Sequence, residues 1–250
     1  NQNVARDDKL TINGNLKALR QDGLITVNTW GGDDTLIING DLYAGRQYNA
    51  DRDGGTIRVD TGKSAGDSLT INGNVRADSS QAHISLVSNK ITVDAKGGQN
   101  GTGNGDRNAV SAEAGSTLSI DGKTLVEIKA QSGSGADAAA RGVYTPPRGG
   151  YAPNTIAVSA DKITVQAQAN GDAYGLSVTG ADDKITLTGR QVEIGASSVN
   201  GNAYAMSAAY VNYNEGTPEN LIKGTAAGDV VTLEASAANG SAHGMSALLY

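Results

Sequence analysis

The 250-residue chain contains no Cys and no Phe, and only two His, one Trp, two Met and four Pro. Missing Cys fits either a reducing compartment or an exported chain that avoids disulfides. No Cys or His/Glu cluster has the spacing of zinc ligands. Aromatic residues make up 4% of the chain, so Val, Ile, Leu and Ala must build whatever core exists. Such residues suit thin, uniform layers better than one thick globule. No apolar stretch is long enough to span a membrane as a helix. The opening "NQNVARDDKL" has no apolar segment of the kind a signal peptide needs. The formal charge is −6 and the 20 Lys and Arg are scattered, which argues against a nucleic-acid partner. His83 and His243 stand far apart without a common partner, and most carboxylates fall at expected turns, so acid–base catalysis has little to work with.

What is abundant is Gly (34 residues), interleaved with Asn, Asp, Ser, Thr and short aliphatic triplets. "DDKLTINGNL" (7–16), "GDDTLIINGDL" (32–42) and "GDSLTINGNV" (66–75) share an acidic turn, an alternating triplet and then Asn-Gly. The triplet recurs in "NKITVDA", "TLVEIKA", "DKITVQA", "RQVEIGA" and "GDVVTLEA". Its last apolar residues are Ile12, Ile38, Ile71, Val93, Ile128, Val165, Ile194 and Leu233, separated by 26, 33, 22, 35, 37, 29 and 39 residues. A second column runs through Leu16, Leu42, Val75, Val110, Val143, Leu176, Met206 and Met245. A third runs through Val27, Val59, Leu86, Ile120, Val158, Leu187 and Ile222. Three short strands per period, with loops of unequal length between them, predict an all-β parallel β-helix of about eight coils. At roughly 4.8 Å per coil the rod would be on the order of 40 Å long. The expected domain is one β-helix over 1–250, a fragment of a longer solenoid because "HGMSALLY" stops inside a coil. Inserted loops are expected near 43–55, 97–107, 144–154 and 209–220.

"GGDDTLIING" (31–40) also matches half of a calcium-binding nonapeptide, G-x-D-x-U, through Gly32, Asp34 and Leu36. Thr29 and Trp30 stand where the leading glycines belong, and "DLYAGRQYN" is no second copy. A structural role explains the acids better. Six of the eight residues four before each first-column anchor are Asp or Asn, whose side chains bond backbone N–H groups in tight turns. The Asn-Gly pairs would add positive-φ positions after the strand. A cation between the stacked acids Asp33, Asp34, Asp182 and Asp183 is the minor alternative. No cofactor is expected.

Two places before the second-column anchors stand Asn108, Arg141, Tyr174, Tyr204 and His243. If stacked, they form an aromatic and cationic ridge able to engage sugar rings or a protein. Small residues after each (Ala109, Gly142, Gly175, Ala205, Gly244) would leave space beside the rings. The bland reading is that the rings cover a corner. Tyr-bearing loops are the other binding candidates: Tyr144, Arg148 and Tyr151 in one, Tyr210 and Tyr213 in another. All leave from equivalent points, hence along one edge. "GGQNGTGNGDR" (97–107) reads instead as a flexible linker without an anchor residue.

The coil motifs "SLTINGNV", "DKITVQAQANGDAYGLSV" and "GDVVTLEASAANGSAHGMSA", with the missing Cys, resemble the passenger region of bacterial autotransporter adhesins and, less closely, filamentous-haemagglutinin-type exoproteins. That resemblance implies a right-handed β-helix secreted through the outer membrane and displayed at the cell surface, serving adhesion, biofilm formation or virulence. Partners would be host or bacterial surface glycans or proteins. Self-association between cells, a carbohydrate-active β-helix enzyme, and end-to-end association through uncapped strand edges are the alternatives.

Overall fold

The computed structural model describes residues 6–19, 23–29, 31–45, 54–78, 82–96, 105–113, 115–146, 153–179, 182–210, 219–223 and 229–249, with side chains except at 208–210, 219–223 and 247–249. Among these residues every regular element is a strand. The chain opens with β1 (Lys9–Asn13), β2 (Leu16–Ala18) and β3 (Leu24–Asn28), then repeats the order in β4 (Thr35–Asn39), β5 (Leu42–Gly45) and β6 (Thr56–Asp60). β7 (Ser68–Ile71) and β8 (Val75–Asp78) follow. Two long strands then run unbroken from a third-column segment into a first-column one: β9 (His83–Lys96) and, after β10 (Arg107–Glu113), β11 (Thr117–Gln131). Next come β12 (Ala140–Thr145), β13 (Thr155–Ser159), β14 (Lys162–Ala169), β15 (Ala173–Val178) and β16 (Lys184–Thr188). The series ends with β17 (Gln191–Ser198), β18 (Ala203–Tyr210), β19 (Glu219–Lys223), β20 (Val230–Ala237) and β21 (Ala242–Leu249).

All pairings are parallel, within one 13-stranded and one 8-stranded sheet. The second-column anchors meet one another in register through the whole smaller sheet, from Leu16↔Leu42 to Met206↔Met245. First-column anchors do so from Ile12↔Ile38 to Ile194↔Leu233, and third-column anchors from Val27↔Val59 to Leu187↔Ile222. Alternation decides the rest: Leu69 and Ile71 are buried while Thr70 between them is half-buried. The core is a stack of aliphatic rungs between the sheets, and each fully buried Leu or Ile contributes about 1.5–3 kcal/mol. Among the described residues the rungs of the outermost strands have a neighbour on one side only. Leu10, in register with the fully buried Leu36, is 41% exposed, and Met245 is 67% exposed.

Three local expectations are corrected. Asn-Gly glycines were expected at positive φ, but of these only Gly14 lies there (φ 135°). The others are Gly because the neighbouring repeat leaves no room: a Cβ on Gly40 would strike Gly14 O, one on Gly73 would strike Gly40 O, and one on Gly240 would strike Gly201 O. The turn acids bond across repeats rather than only within their own turn. Asp34 Oδ1 accepts from Asp8 N–H (2.9 Å), Asp67 Oδ1 from Asp34 N–H (2.8 Å), and Asp33 Oδ1 from Gly66 N–H (3.0 Å). Of the expected linker 97–107, residues 97–104 lie outside the described residues, and Arg107 belongs to β10 instead. Arg107 is buried, and its Nε donates to Lys96 O at 2.9 Å.

Candidate functional site

The smaller sheet assembles the ridge. Asn108, Arg141, Tyr174, Tyr204 and His243 are consecutive register partners. Tyr174 and Tyr204 stack at 5.0 Å between ring centroids and 9° between planes; Tyr204 and His243 stack at 5.0 Å and 7°. The Arg141 guanidinium lies 5.4 Å from the Tyr174 ring and 4.9 Å from the Tyr144 ring, and Arg141 Nη1 donates to Asn108 Oδ1 at 3.4 Å. Tyr174 O–H donates to Asp172 Oδ2 at 3.2 Å, and burial together with that carboxylate pushes the phenol up to about 12. Four of the five small residues beside the rings serve the core instead of leaving space outside, whereas a Cβ on Gly244 would meet nothing within 4 Å. Ala109 and Ala205 are fully buried, and a Cβ on Gly142 or Gly175 would strike the side chains of Val165 or Ile194.

This packing limits what the ridge can do. A sugar ring stacks on an open aromatic face, yet both faces of Tyr204 and one face of Tyr174 already meet ladder rings, with Arg141 near Tyr174. The ladder offers ring edges, phenol oxygens and a guanidinium instead. Tyr210 lies in β18, without a described side chain, and Arg148, Tyr151 and Tyr213 lie outside the described residues. β5, β12 and β18, which precede three of the expected insertions, belong to the same sheet. Tyr43, expected at the start of one insertion, is instead part of β5.

Three of the four weak calcium candidates accept hydrogen bonds from the chain, while Asp34 Oδ2 is buried without a donor among the described residues. Asp33 and Asp34 receive the backbone N–H groups described above. Asp183 is buried and accepts from Asn154 N–H (2.7 Å) and Asn154 Nδ2 (2.9 Å); burial raises its pKa, against the pull of those bonds. Asp182 takes a positive φ of 57°. Among the described residues no group of three or more His, Asp or Glu is arranged to hold a metal ion.

Two features went unread in the sequence. The first is a buried ion cluster. Arg76 Nη2 bridges Asp78 Oδ2 (2.7 Å) and Glu113 Oε2 (3.1 Å), register partners whose side chains are 2% and 7% exposed, and the guanidinium lies 5.7 Å from the Tyr43 ring. Its signal was an acid three residues after the anchors Val75 and Val110. The second is a trough at the corner between first- and second-column strands. β1, β4 and β7 stop near an Asn-Gly corner, whereas β9 continues three residues past Val93, the partner of Ile71. That step forms a cleft of about 520 Å³, floored by Asn39, Asn72 and Asn74 and walled by Asp94 and Lys96. A second cleft of about 790 Å³ shares Lys96 and passes Gln131 and Gln168. A third, about 310 Å³, shares Gln168 and Ser197 and reaches Gly195 and Glu234. The three are contiguous along the stack. Its signal was the switch from "TING" to "TVDA", "EIKA" and "TVQA", where Ala replaces Gly two places after the anchor.

No family model, curated protein or solved structure matches the chain.

Proposed function

We propose that the chain forms a right-handed parallel β-helix, three strands per coil and about eight coils long, that acts as a non-catalytic adhesin passenger segment. In this reading it is secreted through the outer membrane, displayed at a bacterial surface, and attaches to host or bacterial glycans or proteins. The observation that carries the reading is the length of its in-register outer columns. Asn108 to His243 spans five successive repeats, and the amides of Asn13, Asn39 and Asn72 are hydrogen-bonded in series at 2.8 and 2.7 Å. Repeated shallow contacts on one rigid face bind through multivalency rather than through a single deep pocket.

The test is attachment of beads coated with the chain to a glycan array and to bacterial and host cells. The Tyr174→Ala/Tyr204→Ala variant reports on the ridge, and loss of attachment would assign the contacts to it. Attachment unchanged in the variant would move them to another face. No attachment to any surface would refute the reading. A second reading, self-association, is favoured by the outward rows of the stack, in which Thr70 is in register with Thr92 and the amides of Asn39 and Asn72 are joined, a face that could pair with the same face of another copy. Sedimentation velocity over a range of concentrations tests it, and a concentration-independent monomer rejects it.

A further inference from the structure

We propose that the stepped trough binds a neutral, hydroxyl-rich polysaccharide strand lying along the stacking direction, anchored at the notch where β7 gives way to β9. The proposal rests on the reading of the chain as a glycan-holding surface and assigns the glycan to a place other than the Tyr–His ladder.

Two ladders of acceptors end at the notch, one at the exposed Asn72 and the other at a buried oxygen without a donor among the described residues. In the first, Asn39 Nδ2 donates to Asn13 Oδ1 (2.8 Å) and Asn72 Nδ2 to Asn39 Oδ1 (2.7 Å). The next rung, by the Ile71↔Val93 register, is Asp94, a carboxylate that cannot donate to Asn72 Oδ1. In the second, Asn15 Oδ1 accepts from Asp41 N–H (2.7 Å) and Asp41 Oδ1 from Asn74 N–H (2.8 Å). The Val75↔Val110 register then sets Asn74 against Ala109, inside a strand that has already begun at Arg107. Asn74 Oδ1 is buried and has no donor among the described residues. A buried acceptor without a donor costs about 1–3 kcal/mol. The notch therefore sets one buried oxygen without a donor, Asn74 Oδ1, beside the exposed Asn72 Oδ1, which suits a ligand rich in O–H donors.

The rest of the trough suits the same ligand. Beyond the notch its polar lining is mainly the amides Gln131, Gln168 and Gln166 and the hydroxyls Ser132 and Ser197, which both donate and accept. Lys96 is already paired with Asp94 at 2.9 Å. No aromatic or basic stripe runs along it, and the chain's net charge of −6 disfavours polyanions. Gly195 opens the far end without being forced to by packing. A Cβ there would meet only Gln166 Cγ, at 3.9 Å. The missing side chain leaves floor space for a ligand.

The test is a titration of the isotope-labelled full chain with neutral hexasaccharides (cellohexaose, laminarihexaose, xylohexaose, mannohexaose, chitohexaose), with a uronate hexamer as the charged control. NMR shift changes are expected at the side-chain amides of Asn39, Asn72 and Asn74 and at the Gly195 amide for at least one neutral hexamer. Asn72→Ala, which removes one exposed acceptor, is expected to weaken that binding about fivefold. Gly195→Val, which fills the far cleft, is expected to weaken it without destabilising the chain. Shifts confined to Tyr174, Tyr204 and His243 would overturn the inference while leaving glycan attachment standing. Preference for the uronate, or no shift with any neutral hexamer, would overturn it too. Cell or array attachment persisting in the latter case would keep the broader function.

Discussion

Arg76→Met is the sharpest test of how the fold handles charge. The substitution keeps most of the side-chain volume and removes the cation shared by Asp78 and Glu113, whose side chains are 2% and 7% exposed. Breaking a buried ion pair from one side costs about 3–5 kcal/mol, although Asp78 Oδ2 still accepts from Tyr43 O–H at 3.4 Å. Arg76 itself is 30% exposed, so some water reaches the cluster and the low end applies, about 3 kcal/mol. By contrast, the outward Lys96–Asp94 pair, 68% and 22% exposed, is worth at most about 1 kcal/mol. For a chain of this size about 3 kcal/mol corresponds to a fall in Tm of about 6–12 °C. Urea denaturation followed by circular dichroism measures the free energy. Adding Asp78→Asn and Glu113→Gln to Arg76→Met should restore much of the loss, as neutral amides in place of stranded carboxylates make the changes non-additive. A loss below about 1 kcal/mol for Arg76→Met, or no recovery in the triple variant, would refute the argument.

Three further outcomes follow from the packing and the titrating groups. Burial and the nearby Arg58 lower the pKa of half-buried His83, so the unfolded chain takes up that proton first on acidification. Wild type should therefore lose stability relative to His83→Gln as pH falls through the ordinary histidine range; a pH-independent difference would contradict this. Asp183 behaves oppositely. Its raised pKa means that the folded state holds the proton more tightly, so wild type should gain on Asp183→Asn as pH drops through the carboxylate range, measured by urea midpoints at several pH values. Gly175→Ala, whose Cβ would press on the Ile194 side chain and lie 2.7 Å from Ala205 O, should cost about 1–3 kcal/mol. Gly195→Ala should be neutral or stabilising by about 0.4–1 kcal/mol, and equal effects at the two sites in thermal melts would show that the packing argument fails.

The columns were legible because alternation is local. An apolar-x-apolar triplet announces which face is buried wherever it occurs, however uneven the loops between, and Ile12, Ile38 and Ile71 do meet in register. The reasons for particular small residues were not legible. What forbids a Cβ at Gly40 is the carbonyl of Gly14, and what forbids one at Gly175 is the Ile194 side chain, both belonging to other repeats. The Tyr174–Tyr204–His243 alignment could be read from offsets to the anchors, but not that the rings would spend their faces on one another. Asp78 and Glu113 are 35 residues apart in sequence, and only the register sets them side by side at one guanidinium. The trough escaped for a similar reason: its notch exists only as a difference between two successive strand lengths.

Stacking like on like also governs how such a gene can change length. Removing one full period rejoins an Ile column to an Ile column and an Asn rung to an Asn rung, so a shorter molecule of the same cross-section results. Removing a single residue within a strand exchanges the wet and dry faces downstream to the next turn. Length variants among descendants of this sequence should therefore differ by whole periods or by loop insertions at the corners, and seldom by anything between.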